Sequence, residues 1–197
     1  MTTADALLPP TPSQTVGPFY GYALPFPGGP DIAPAGHVGA LTVHGVVLDG
    51  RGAPVPDALL EIWGPGPDGR VPATTGTFRR DETHGGFLGR HPGEFTGFGR
   101  VATDREGRWA VRTLRPGTRG SAAPYLGVCL FARGLLHHLF TRVYFPDDTT
   151  AHADDPLLAS LPARRRATLI ARAEPGSSYR FDIRLQGEDE TVFLEFR

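Results

Sequence analysis

Tyr179-Arg-Phe-Asp-Ile-Arg-Leu-Gln-Gly-Glu-Asp-Glu-Thr-Val-Phe-Leu-Glu-Phe196 reads as two stretches of alternating apolar and polar residues joined by a polar, glycine-containing turn. Alternation with a period of two puts every second side chain on one face of a strand, so the pair predicts a β-hairpin. Working outward, Leu41-Thr-Val-His-Gly-Val-Val-Leu48, ended by Asp49-Gly50, predicts a strand and Ala58-Leu-Leu-Glu-Ile-Trp63 the next. Arg100-Val-Ala-Thr103 and Arg108-Trp-Ala-Val-Arg-Thr-Leu114 flank the turn Asp104-Arg-Glu-Gly107 and predict a second hairpin. Tyr125 to Ala132 and His138 to Phe145 predict two strands around Gly134, and Ala167 to Ala171 one more after a turn at Pro162 to Arg166. The single good helix signal is Asp155-Pro-Leu-Leu-Ala-Ser-Leu161, with Asp155 as N-cap and Pro156 at the first helical position. Some eight short strands at spacings of roughly ten residues predict an all-β sandwich.

The 197 residues suit one domain with a real core. Residues 40–197 are expected to form the sandwich. Residues 1–39, dense in Pro and Gly and without periodicity, are expected to form an arm lying on the core or on a partner. Gly64 to Phe98 predicts a long loop, and loops beyond ~12–15 residues in compact domains are usually functional or disordered.

Twenty basic against twenty-one acidic residues give a net charge of -1, which excludes the basic footprint of a nucleic-acid binder. Every basic residue is Arg. A single cysteine, Cys129, rules out an internal disulfide framework and sits in an apolar run, as a buried thiol does. No signal-peptide pattern opens the chain, and no apolar run approaches the ~20 residues that span a bilayer, so a cytoplasmic protein is expected.

Thr11-Pro-Ser-Gln-Thr-Val-Gly-Pro-Phe19 and the C-terminal stretch resemble the intradiol ring-cleavage dioxygenase family. So do Gly99-Arg-Val-Ala-Thr-Asp104, Val128-Cys-Leu-Phe-Ala-Arg-Gly134, Thr141-Arg-Val-Tyr-Phe145 and Arg166-Ala-Thr-Leu-Ile-Ala-Arg172, which extend the resemblance over nearly the whole chain. Within the family it points to the α subunits of hetero-oligomers acting on protocatechuate, 3,4-dihydroxybenzoate. It implies a sandwich of mixed sheets with short peripheral helices. It also implies a ferric enzyme of aromatic catabolism that opens a dihydroxylated ring with O2, yielding 3-carboxy-cis,cis-muconate.

In catalytic subunits of that family two Tyr and two His hold Fe(III), the His pair as His-x-His on one face of a strand. The matching positions here are Tyr125 and Gly127. The second Tyr ligand follows a Pro-Gly, but here Pro116-Gly117 is followed by Thr118-Arg-Gly120; the loop from Gly64 to Phe98, which supplies the first, contains no Tyr. No metal site is therefore expected in this chain, and the resemblance implies that a partner β subunit carries the iron.

No other constellation replaces it. His137 and His138 are adjacent and face opposite ways on a strand, His44 reads as a hydrogen-bonded structural residue, and His84 and His91 lack a Cys or carboxylate at zinc spacing. His37 and His152 stand alone. Asp147-Asp148, Asp154-Asp155 and Glu188-Asp189-Glu190 read as solvated turns or helix starts.

The resemblance assigns this chain a wall of a pocket shared between α and β, with no catalytic residue of its own. Gly17, Pro18 and Phe19 are its substrate-binding candidates in the arm, Phe19 standing where the family often has Tyr and so lacking a hydroxyl. Arg133 is the fourth candidate, its permanent charge suited to the substrate carboxylate. Two alternatives stay open: a self-sufficient intradiol dioxygenase with unusual ligands, and a non-enzymatic ligand-binding or scaffold module derived from the dioxygenase fold.

Overall fold

The computed structural model of the chain describes residues 11–17, 19–72, 78–91 and 93–196. Its elements run α1 (Tyr20–Ala23), β1 (Ala40–Leu48), β2 (Leu59–Trp63), β3 (Phe78–Arg80), β4 (Phe87–Arg90), β5 (Phe98–Ala102), β6 (Arg108–Leu114), β7 (Tyr125–Phe131) and β8 (Leu139–Tyr144). They continue with α2 (Thr149–Asp154), α3 (Pro156–Ser160), α4 (Ala163–Ala167), β9 (Arg172–Glu174), β10 (Ser178–Arg180) and β11 (Ile183–Arg184).

Two sheets face each other. In the first, β1 is flanked by antiparallel β6 on one side and by β10 and β11, both parallel to it, on the other, with β9 outside β10. The second has the order β5-β2-β7-β8 and is antiparallel throughout. Period-two patterning decides which residues meet between them: Leu41, Val43 and Val47 of β1, Trp109 and Val111 of β6, Leu60 and Ile62 of β2, and Leu126, Val128 and Leu130 of β7 form one buried cluster. Truncating a fully buried member such as Leu60 to Ala would cost about 2–5 kcal/mol, because the transfer loss is joined by a cavity. The all-β sandwich of mixed sheets expected from the sequence is the architecture observed.

The C-terminal stretch, however, is not a hairpin. Its first half runs along β1, while its second half leaves for the other sheet, where Leu194 bridges Phe140 of the edge strand β8. The two halves are joined by hydrogen bonds where the Thr191 N–H donates to the Arg184 carbonyl and the Arg184 N–H donates to the Thr191 hydroxyl, each at 3.0 Å. Splitting the stretch extends the first sheet beside β1 and gives the β8 edge of the second sheet a partner at Phe140, where the Leu194 N–H donates to its carbonyl.

A bend separates β10 from β11, and Gly45 of β1 is what admits it: a Cβ there would lie 1.9 Å from the Phe181 carbonyl oxygen. The broken ladder is mended by a side chain, Asp182 Oδ1 accepting the Val46 N–H at 3.0 Å.

Asp104 to Gly107 likewise closes no hairpin, since β5 pairs with β2 and β6 with β1; the turn carries the chain between sheets. Within Gly64 to Phe98, predicted as loop throughout, β3 and β4 form a small hairpin. Its turn is held by the Asp81 carboxylate, which accepts the N–H groups of Thr83 and His84. Pro162 to Arg166 opens helix α4 instead of a turn, and of Ala167 to Ala171 only Ile170 makes a bridge, to Tyr144. The predicted helix is present as α3, with Asp155 accepting the Leu157 and Leu158 N–H groups and Pro156 in the first turn.

The described part of the arm is tied to the sandwich. Ile32 is buried in the main core, and Arg112 of β6 exchanges backbone hydrogen bonds with Pro30 and Ile32. The Arg100 guanidinium, paired with Glu61, donates to the Leu24 carbonyl at 3.0 Å. No helix among the described residues is long and apolar enough to cross a membrane.

Candidate functional site

At one end of the second sheet the strand ends and their loops enclose a cavity of about 250 Å³, lined by Trp63, Pro65, Val71, Arg119, Ala123 and Tyr125 with backbone from Gly64, Gly97, Gly117 and Gly127. Cross-strand register builds it: Trp63 lies opposite Gly127 on one side and Phe98 on the other, and its ring packs 4.3 Å from that of Phe98. A hydrogen bond from the Gly117 N–H to the Gly66 carbonyl, at 2.9 Å, joins the loop after β2 to the loop before β7.

Tyr125 is fixed by a buried network. The Arg142 guanidinium stacks over its ring at 4.1 Å and donates to the Tyr144 hydroxyl at 3.0 Å. That hydroxyl donates to Asp155, whose carboxylate also accepts the Ala123 N–H. Burial pushes the Tyr144 phenol up to about 12, ahead of the opposing pull of Arg142.

Two of the positions matched to the family's metal ligands line this cavity and the segments carrying the others border it. Tyr125 and Gly127, two apart on β7, share its wall; Gly117 and Arg119 bracket Thr118; and the loop after Trp63 closes another side. The donors are wrong for a ferric ion. The lining offers one phenol and one guanidinium, with no imidazole or carboxylate, and a cation such as Arg119 repels another. Among the described residues no three His, Cys, Asp or Glu side chains cluster as a metal site.

Four of the histidines have a neighbour each, and among the described residues none shares a metal site with another. His44 pairs with Glu174 at 2.9 Å, His84 sits beside Asp81, and His138 packs edge-on to Phe140. His152 is buried against the Tyr144 ring. Of the acidic clusters, Asp147 and Asp148 clasp Arg115, and Glu188 and Asp189 clasp Arg164. Asp155 departs from the solvated reading: it is fully buried, capping α3 while anchoring Tyr144 and Ala123. The N-cap pattern was visible in sequence, but nothing local could show that β7 and β8 would close over it. Cys129 is buried, and its thiol is raised to about 11, first by desolvation and then by Glu61.

A second cluster gathers the arm and Arg133. The Arg133 Nη2 lies 2.5 Å from Asp57 Oδ2, and the Tyr20 hydroxyl donates to the Asp57 backbone carbonyl at 2.6 Å. Phe19, next to Tyr20 in sequence, is 76 % exposed, a large apolar side chain left on the surface. No local pattern marks Asp57 as the partner of Arg133; it takes a positive φ of 57°, a conformation Asp adopts more readily than most residues. Gly17 has φ 74°, and among the described residues beyond its chain neighbours no atom comes within 4 Å of where its Cβ would stand. Its glycine therefore answers to the backbone conformation, not to a close approach within the chain. Pro18 lies outside the described residues.

A family model described as Dioxygenase matches residues 30–125. The chain is 43 % identical to the protocatechuate 3,4-dioxygenase alpha chain of Burkholderia cepacia, across 94 % of this chain and 96 % of that one. It is 38 % identical to the alpha chain of Pseudomonas putida, across 96 % and 98 %. With the beta chain of the B. cepacia enzyme it shares 32 % identity over 77 % of its own length and 66 % of the beta chain. In fold it is similar to catechol 1,2-dioxygenase of Pseudomonas arvilla C-1, with a TM-score of 0.56 at 22 % identity over 89 % of this chain and 60 % of that one.

Proposed function

Because the chain belongs to the intradiol ring-cleavage dioxygenase family, we propose that it is the α subunit of a protocatechuate 3,4-dioxygenase. The enzyme opens 3,4-dihydroxybenzoate with O2 to 3-carboxy-cis,cis-muconate, both oxygen atoms entering the product. Near-complete coverage at 43 % identity to an alpha chain, against 32 % to a beta chain, carries this reading. A cavity lined by one phenol, with no imidazole or carboxylate, supports the same division of labour. Fe(III), with the Lewis-acid chemistry it supplies, belongs in this reading to the β partner. The cytoplasmic location expected from the sequence belongs to it too.

This chain's contribution is wall and charge. Asp57 occupies one edge of the Arg133 guanidinium, and the rest of the planar fork makes no hydrogen bond among the described residues, free to take the substrate carboxylate. Phe19 offers an apolar face for the ring, and Gly17, at a positive φ, turns the arm just ahead of it. Binding energy spent on a carboxylate remote from the reacting carbons orients the ring.

The test is co-expression with a β chain followed by an oxygen electrode. The assembled complex is expected to consume one O2 per 3,4-dihydroxybenzoate, and this chain alone none. A complex that assembles yet consumes no O2 would favour the non-enzymatic module, and turnover by this chain alone would favour the self-sufficient enzyme.

A further inference from the structure

We infer that the cavity beside Trp63 is a binding site in its own right, for a small flat aromatic anion of the benzoate type. Its size fits one ring: about 250 Å³ is available, and in another protein an engineered apolar cavity of ~150 Å³ takes up benzene. Its walls suit one too. Trp63 and Tyr125 supply aromatic surface and Pro65, Val71 and Ala123 aliphatic surface.

Two further features point to a ligand and not to a gap left by poor packing. Trp63 is 52 % exposed and packed against Phe98, so it presents an open aromatic face at the cavity rim to which a flat ring can stack. Arg119, exposed at the mouth of the lining, makes no ion pair among the described residues, so its guanidinium is open to an anion entering the cavity. One cation in an otherwise apolar enclosure selects a single negative charge attached to an apolar body. A phosphate would want several convergent donors.

The site is also preformed. Tyr125 is stacked under Arg142, and Arg142 is held through Tyr144 to the buried Asp155, so little side-chain freedom remains to be lost on binding. It requires no metal and no ring opening, and its failure would leave the proposed function untouched.

Equilibrium dialysis with ring-labelled benzoate, on the full chain in the assembly it forms, counts the sites. Gly127→Val fills the cavity without backbone collision, since a Cβ at Gly127 meets only Trp63 atoms at 3.8 and 3.9 Å. It is expected to remove one bound benzoate per copy of this chain. Arg119→Ala should weaken that same equivalent roughly tenfold or more, a charged contact having been lost, and neutral benzamide should bind it correspondingly less well than benzoate. Trp63 emission should respond to benzoate in the wild type and not in Gly127→Val, Trp109 being buried elsewhere in the core. If both variants fold and assemble with benzoate count and affinity unchanged, the site does not exist. If benzamide binds as tightly as benzoate, Arg119 recognises no anion.

Discussion

The hydroxyl of Tyr20 donates to the backbone carbonyl of Asp57 at 2.6 Å, and the same Asp57 holds Arg133 through its carboxylate. One residue thus couples the seat of the arm to the orientation of a surface cation. Burial raises the Tyr20 phenol, with the Asp57 charge adding to it, so the hydroxyl stays a donor throughout the neutral range.

Tyr20→Phe removes that donor and little else. The expected loss is about 0.5–1.5 kcal/mol, which for a domain of this size lowers Tm by roughly 2–6 °C. Limited proteolysis should also cut the arm ahead of Tyr20 sooner than in the wild type. An unchanged Tm and cleavage rate would show that the arm is seated by Ile32 and Arg100 alone.

Asp155→Asn should be among the most damaging conservative changes in the chain. The carboxylate accepts from Ala123, Leu157, Leu158 and Tyr144 at zero exposure, and an amide brings two donors into a site built only of donors. A destabilisation of at least about 3 kcal/mol is expected, read as a shift of the urea midpoint at constant slope. A surface control such as Asp154→Asn should lie within about 0.5 kcal/mol of wild type.

Alkali should unfold the protein through two groups that prefer to stay neutral. Cys129 is raised by burial from 9.0 to about 11 and Tyr144 from 10.0 to about 12. Between about pH 9 and 12 the unfolded chain therefore holds fewer protons at these sites than the folded one, and stability falls as pH rises; below pH 9 both states are protonated and this dependence vanishes. Urea midpoints at pH 8 and pH 10.5 should show the fall, and Cys129→Ala should make it shallower. A thiol reagent at pH 8 should label Cys129 only under unfolding conditions.

Purified alone, the chain is expected to be colourless and free of stoichiometric ferric iron, because the cavity at the ligand positions presents one phenol and a repelling guanidinium. Metal analysis and a visible spectrum decide this. A red-brown preparation with one iron per chain would overturn the assignment of iron to the partner.

Local alternation was enough to find β1, β2, β7 and β8, because Leu41, Val43 and Val47 or Leu126 and Val128 need only their own neighbours to declare a buried face. Partnership was not legible. Whether Tyr179 to Phe196 folds on itself or divides between two sheets depends on which edges lie open, a property of the assembled sandwich and not of the stretch. The same holds at the site. Resemblance could align Tyr125, Gly127 and Thr118 with lost ligands, yet the meeting of Tyr125 and Gly127 with Arg119 at one cavity arises from long-range register between β2, β5 and β7. Asp57 was invisible because its bond to Arg133 crosses from the turn before β2 to the end of β7.

The last expectation concerns that pair. Arg133→Ala in the assembled complex should raise KM for 3,4-dihydroxybenzoate more than it lowers kcat, since a carboxylate remote from the reacting carbons is held alike in ground and transition states. A desolvated charged contact is worth about 1.5–3 kcal/mol, so kcat/KM should fall roughly tenfold to a hundredfold, and Arg133→Lys should recover only part of the loss because an ammonium lacks the fork. Catechol, which has no carboxylate, should be turned over by Arg133→Ala much as by wild type. Asp57→Asn should move the other way: Asn tolerates the positive φ and its amide oxygen still accepts from Arg133, but the charge that competes with substrate is gone. The pair is solvent-exposed, so a fall of about twofold to fivefold in KM is the scale to look for. Equal losses on catechol and 3,4-dihydroxybenzoate in Arg133→Ala, with the complex intact, would mean that Arg133 serves structure through Asp57 and takes no part in substrate recognition.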